Sequence, residues 1–238
     1  MSAFLYGVAL QWKLDIRSKT LLITCYIVPL LFFAIMGGIF TSLMPDAVND
    51  LIQSMTVMGV SMGALIGLPP SLVEIYGSDI KRVYKANGVP LYLGAVSIFF
   101  SAFIHLMIMS GIIYVVAPLA FNAVLPEQPL LYFGKLAIFI IVTNSIGCVL
   151  GLAVKNQARL TMFSQLVFLP SIMLSGIMFP ANLLPKVLFT VGKIFPASWG
   201  YLLMTESGFS IENFLPLLLV LVLSVGVCGI LLRKLRSE

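Results

Sequence analysis

Six apolar stretches, each about as long as a bilayer is thick once coiled into a helix, constrain this 238-residue chain more than any other feature. A hydrocarbon core of roughly 30 Å takes about 20 helical residues, and inside it every backbone N–H and C=O must be paired within the protein. Helices are therefore predicted over 20–43, 54–73, 91–119, 130–154, 160–179 and 214–232. These spans use up the chain, so 1–238 is read as one transmembrane domain, all-α and polytopic, with no room for a separate soluble domain. Charged residues make up 10% of the chain, against roughly 25% in an ordinary soluble domain. The first stretch is too long for a signal-peptide core and lacks a small-residue cleavage site, so it is expected to stay as a signal anchor. Cys25, Cys148 and Cys228 all lie in apolar stretches, which points to packing rather than to a disulfide framework.

The connectors orient the spans. Lys13, Arg17 and Lys19 precede the first, Lys81, Arg82 and Lys85 follow the second, Lys155 and Arg159 follow the fourth, and Arg233, Lys234 and Arg236 follow the sixth. That places eleven of the fourteen basic residues on one side and leaves Lys135, Lys186 and Lys193 for the other. The positive-inside rule then makes both termini cytoplasmic, in a multi-pass protein of the cytoplasmic membrane. The net charge of +5 has the same origin. Basic residues beside span ends meet anionic lipid, and no nucleic-acid partner is expected.

Three segments outside the spans have their own patterns. In 1–19, Leu5, Val8, Ala9, Trp12 and Ile16 recur at helical spacing while Gln11, Lys13 and Arg17 are polar, which predicts an amphipathic interfacial helix with Trp12 at headgroup depth. In the cytoplasmic connector 74–90, Ser78 or Asp79 caps a short helix through Lys81, Arg82, Val83, Tyr84 and Lys85, and Gly88 with Pro90 ends it. Such a stiff, basic and aromatic element suits docking into a groove on a cytoplasmic partner. Glu74, at the foot of the second span, is expected to form a gate salt bridge with Lys81, Arg82 or a basic residue of the interfacial helix. The outer connector 180–206 is too apolar for a solvated loop. Leu184, Val187, Leu188, Val191, Ile194 and Phe195 share one helical side, Lys186 and Lys193 the other, and Pro185 and Pro196 bound the piece. With 197–205 behind it, this predicts a helical hairpin dipping into the outer leaflet.

Isolated polar residues in the spans call for partners. A charge at mid-span costs roughly 2.5–3.5 kcal/mol on insertion scales, so His105 is expected to be neutral and bonded to a hydroxyl or carbonyl. No catalytic residue and no metal site are predicted. Pro69, Pro70 and Pro170 should kink the second and fifth spans.

The ordered set of interfacial helix, six spans, basic coupling helix and re-entrant hairpin resembles the ABC type-2 transporter permease family over essentially the whole chain. The sharpest local match is SGIMFPANLLP over 175–185, containing Phe179 and Pro180, followed by Phe195, Pro196 and 199–204. The resemblance implies a half-transporter that pairs with a second permease subunit and with two separate ATP-binding subunits. It places the coupling role on Asp79, Lys81, Arg82, Val83, Tyr84 and Lys85, and the hairpin on Phe179, Pro180, Pro185, Lys186, Lys193 and Pro196. It also puts the path at the dimer interface, lined by the first, second and fifth spans, where Thr56, Ser61, Ser164, Gln165 and Ser171 are the polar candidates. This chain has no glycine-rich loop ending in Gly-Lys-Ser or Gly-Lys-Thr, and Lys19-Thr20 lacks the preceding glycines. ATP and Mg are accordingly expected on the partner subunits, with no cofactor in this chain. The implied cargo is an amphipathic or hydrophobic compound: a drug, an antibiotic, or a peptide- or lipid-like molecule. Export of a polysaccharide or lipid-linked glycan is the alternative within the family. An ion-coupled secondary transporter would show inverted repeats, and an intramembrane enzyme would show a polar cluster on facing spans. Neither pattern is evident.

Overall fold

The computed structural model describes residues 3–78, 80–178 and 184–237, and among them every regular element is helical. The chain is thus all-α, as its apolar runs predict. Asp79, Phe179 and Pro180 fall outside the described residues. α1 is Ala3–Arg17, α2 Lys19–Leu43, α3 Leu51–Tyr76, α4 Ile80–Ala86 and α5 Leu91–Phe121. α6 is Pro129–Ala153, α7 Gln157–Met173, α8 Lys186–Gly192, α9 Pro196–Thr205 and α10 Ile211–Ser237. Five helices, α2, α3, α5, α6 and α10, are each long and apolar enough to cross a membrane. The stretch predicted over 160–179 forms α7, whose 17 residues rise about 26 Å. Its last backbone bond runs from Leu174 to the Pro170 carbonyl, and Gly176 then takes a left-handed φ of 88°, which turns the chain out of the helix. α8 and α9 meet at 93°, a bent pair that would make a further span only if taken as one helix.

α1 and α2 are separate helices because Ser18 is extended and its side chain accepts the Leu21 N–H, giving α2 its own N-cap. Both early spans contain a π-turn, Ile23–Ile27 in α2 and Gly63–Gly67 in α3. Each lies just ahead of a proline, Pro29 and Pro69. A proline ring collides with the carbonyl four residues back, here that of Cys25 and Leu65, and a widened turn relieves the collision. The irregularity expected at Pro69 and Pro70 is thus a π-turn, and the sequence reading missed its counterpart ahead of Pro29.

The helices are ordered around α3. Its most apolar window is 89% buried, against 22% for α2 and 11% for α10, so α3 is the core and the other two are rim. Hydropathy runs the opposite way: α3 is the least hydropathic of the five and α10 the most. Lipid solvates Leu and Val as well as a protein interior does, so burial goes instead to the helix whose small residues allow close approach. Leu51, Ile52, Met55 and Val60 of α3 pack against Leu106, Met109 and Ile113 of α5 and Leu136, Phe139 and Ile140 of α6. On α6, Gly147 faces the Ala64 carbonyl so closely that a Cβ there would lie 2.1 Å from the oxygen. Cys25, Cys148 and Cys228 are free thiols.

Candidate functional site

The end of the bundle near the termini is built around the α3–α5 connection. Tyr76, the last residue of α3, is 5% exposed; its hydroxyl donates to the Leu91 carbonyl and accepts the Ala95 N–H at 2.9 Å. Those two backbone groups would bond each other in an uninterrupted first turn, so the tyrosine is stitched into the start of α5. α4 sits on this bracket. Ser78 Oγ accepts the Ile80 N–H at 3.3 Å, and at the other end Gly88 takes a φ of 67° while the Val89 N–H bonds the Tyr84 carbonyl. A left-handed glycine closing a short helix this way leaves its last carbonyls paired. Tyr84 turns inward, where a Cβ on Gly94 would lie 3.2 Å from its ring. Ile80, Arg82 and Val83 are exposed, and Lys81 is half-buried. The segment expected to act in coupling is therefore a capped, braced helix with an outward face both basic and apolar.

α1 lies along α5. Leu5, Tyr6, Leu10, Leu14 and Ile16 are exposed, as are Lys13 and Arg17. Trp12 is half-buried and stacks on His105 of α5, with ring centroids 4.1 Å apart and planes 14° from parallel. His105 Nδ1 lies 2.7 Å from the Tyr26 hydroxyl, the kind of neutral partner a mid-span histidine requires. One turn beyond Trp12, Asp15 is 4% exposed and accepts from Ser101 Oγ and, at 2.8 Å, from Gln11 Nε2. Burial pushes its carboxyl above the ordinary carboxylate range, against the opposing pull of the bonds from Ser101 and Gln11. Asp15 and Glu74 line one cleft of about 400 Å³ between α1, the foot of α3, α4 and α5.

The polar residues proposed for the path divide by exposure. Thr56 is fully buried and bonds the Tyr132 hydroxyl at 2.9 Å. Ser61, Ser164 and Ser171 are buried, with no hydrogen-bond partner for their hydroxyls among the described residues. Gln165 is exposed on α7. In the hairpin, Pro185 precedes α8 and Pro196 opens α9. Lys186 and Lys193 are exposed, and the Lys193 ammonium lies 5.0 Å from the Phe189 ring centre and 5.7 Å from that of Trp199. Trp199 Nε1 donates to the Lys193 carbonyl at 2.6 Å and Ser198 Oγ to that of Gly192 at 2.6 Å, pinning the corner between the two helices.

Sequence reasoning missed Asp15 and Tyr76. The i, i+4 pair Gln11–Asp15 beside Trp12 was a signal for the first, because an acid on the apolar side of a helix needs a donor. Nothing in the sequence marked the second.

None of the curated proteins compared matches the chain. The model of the ABC-2 type transporter family matches residues 3–209, from the start of α1 to the end of the hairpin, and with the helical architecture described above it places this multi-pass membrane protein in that family, as a permease subunit without a nucleotide-binding motif.

Proposed function

We propose that this permease subunit exports an amphipathic or hydrophobic compound across the cytoplasmic membrane, with both termini cytoplasmic, a second permease subunit beside it, and force supplied by separate subunits that bind ATP and Mg. The observation that carries this reading is the α4 bracket. A helix capped at both ends and set between α3 and α5, whose adjoining ends Tyr76 ties together, can transmit a push without absorbing it, and its exposed Ile80, Arg82 and Val83 offer a partner both contact area and charge. The hydroxyls of Ser61, Ser164 and Ser171 support a path between α3 and α7. Buried hydroxyls are normally bonded, and a seam that opens to water or to a polar part of the cargo would supply what these lack. The apolar exposed faces of α2 and α7 suit pairing with a second permease subunit and a cargo drawn from the membrane.

The test is reconstitution of the chain with its co-purifying ATPase. Lys81→Glu with Arg82→Glu is expected to insert normally and to lose cargo-stimulated ATP hydrolysis by tenfold or more. Unaltered stimulation would remove the docking role. Failure to co-purify any Walker-type ATPase in mild detergent would remove the exporter reading itself.

A further inference from the structure

The far end of the bundle holds a second polar site, of about 210 Å³, formed where the 44–50 and 122–128 connectors meet the end of α9. Lys135, on α6, is 3% exposed and forms part of its wall; its ammonium donates to the Glu206 carbonyl at 2.6 Å. Three carboxylates, Asp50, Glu127 and Glu206, line the same pocket, so Lys135 neutralises one and the balance stays negative. Glu206 is engaged, accepting from Asn213 Nδ2 at 2.6 Å. Gln53 also lines the pocket. It is 7% exposed, and its Oε1 has no hydrogen-bond partner among the described residues. A buried amide oxygen without a donor is unfavourable, and an N–H or O–H entering the pocket would satisfy it. An acceptor-rich, net-negative pocket selects among those donors for a cationic one.

We propose that this pocket binds a primary ammonium group borne on an apolar tail, the ammonium donating to Gln53 Oε1 with Asp50 and Glu127 as counter-charge. The size agrees: the volume falls below the roughly 300–1,000 Å³ of clefts that enclose a drug-sized molecule, so it takes a head group. Val124, Leu131 and Met204 supply apolar wall for the first carbons of the tail. A quaternary ammonium has the charge but no N–H for Gln53 and is a poor ligand. An anion meets two uncompensated carboxylates and is excluded, although Lys135 is present. The proposal does not rest on the export reading, because a lipid head group and a free amphiphile present the same ammonium chemistry.

The experiment is calorimetric titration of octylammonium into the full chain in phosphatidylcholine nanodiscs at pH 7, with empty nanodiscs subtracted. Saturable binding of one octylammonium per chain is expected, with octyltrimethylammonium at least tenfold weaker and octanoate silent. Glu127→Gln, which alters an exposed side chain, and Gln53→Leu should each weaken octylammonium at least fivefold; should Gln53→Leu not fold, Glu127→Gln decides. Repeating the titration with phosphatidylethanolamine in the nanodiscs separates the sources. A raised apparent Kd identifies the lipid head group as an occupant, and an unchanged one leaves the site to a free ammonium amphiphile; both accord with the proposal. Non-saturable uptake, equal binding of the trimethyl compound, binding of octanoate, or an unaffected Glu127→Gln variant would overturn it.

Discussion

Asp15 shows how a single buried acid ties α1 to the bundle. Its proton leaves near 3.8 in the unfolded chain and at higher pH once α1 is docked, because the folded site disfavours the charged form. The sign follows from linkage: the folded state binds the proton more tightly, so docking is strongest at low pH, weakens as pH rises from 3.8 through the folded-state value, and is flat above it. Asp15→Asn keeps an acceptor for Ser101 and Gln11 and removes the charge. Thermal unfolding followed from pH 4 to pH 7 should show the parent losing stability relative to this variant; a parent that gains stability across that window would refute the assignment. In the α3–α5 connection, Tyr76→Phe deletes the hydroxyl that bridges Leu91 and Ala95. A net loss of about 0.5–1.5 kcal/mol is expected. Amide exchange should accelerate in α4 and in the first turn of α5 while α6 stays protected.

Between elements, packing is decided by small residues rather than by apolar area. Gly147 meets a backbone carbonyl of α3, which cannot rotate away as a side chain can. Gly147→Ala should therefore cost about 1–3 kcal/mol by overpacking. Gly38 and Gly111 have open space where a Cβ would go, and alanine there should hold thermal stability or raise it by up to about 1 kcal/mol. Equal effects at all three positions would mean that glycine acts through helix propensity and not through contact. The helices themselves were legible because 20-residue apolar runs admit few alternatives in lipid. Their irregularities were less so. The π-turn ahead of Pro29 depends on how a ring and a carbonyl are accommodated locally, and the early end of α7 on a left-handed Gly176, neither of which alters hydropathy.

For the whole molecule, the export reading requires a second permease subunit against the faces that this chain leaves exposed. Gln165 stands on such a face of α7, among exposed Met162, Leu166 and Leu169. In a background with Cys25, Cys148 and Cys228 replaced by alanine, Gln165→Cys is expected to give a cross-linked dimer on mild oxidation in membranes. Leu219→Cys on α10 serves as the comparison and should stay monomeric. Cross-linking from α10 alone would move the interface to that helix.

Hydrophobic run length and the placement of lysines and arginines belong to the sequence alone, because a bilayer imposes one length, one way of pairing backbone groups and one preferred side for positive charge. Those constraints yielded the all-α membrane class, the short basic helix between two spans and the apolar hairpin, and with them the resemblance to a permease. Contacts between residues far apart in the chain required the fold. The Asp15–Ser101 bond, the Trp12–His105 stack and the pocket joining Gln53 to Lys135 form only when particular faces of separate helices meet. Neighbouring helices select those faces by close packing of small side chains, and lipid, which favours every apolar face alike, gives the sequence no periodicity from which to read them.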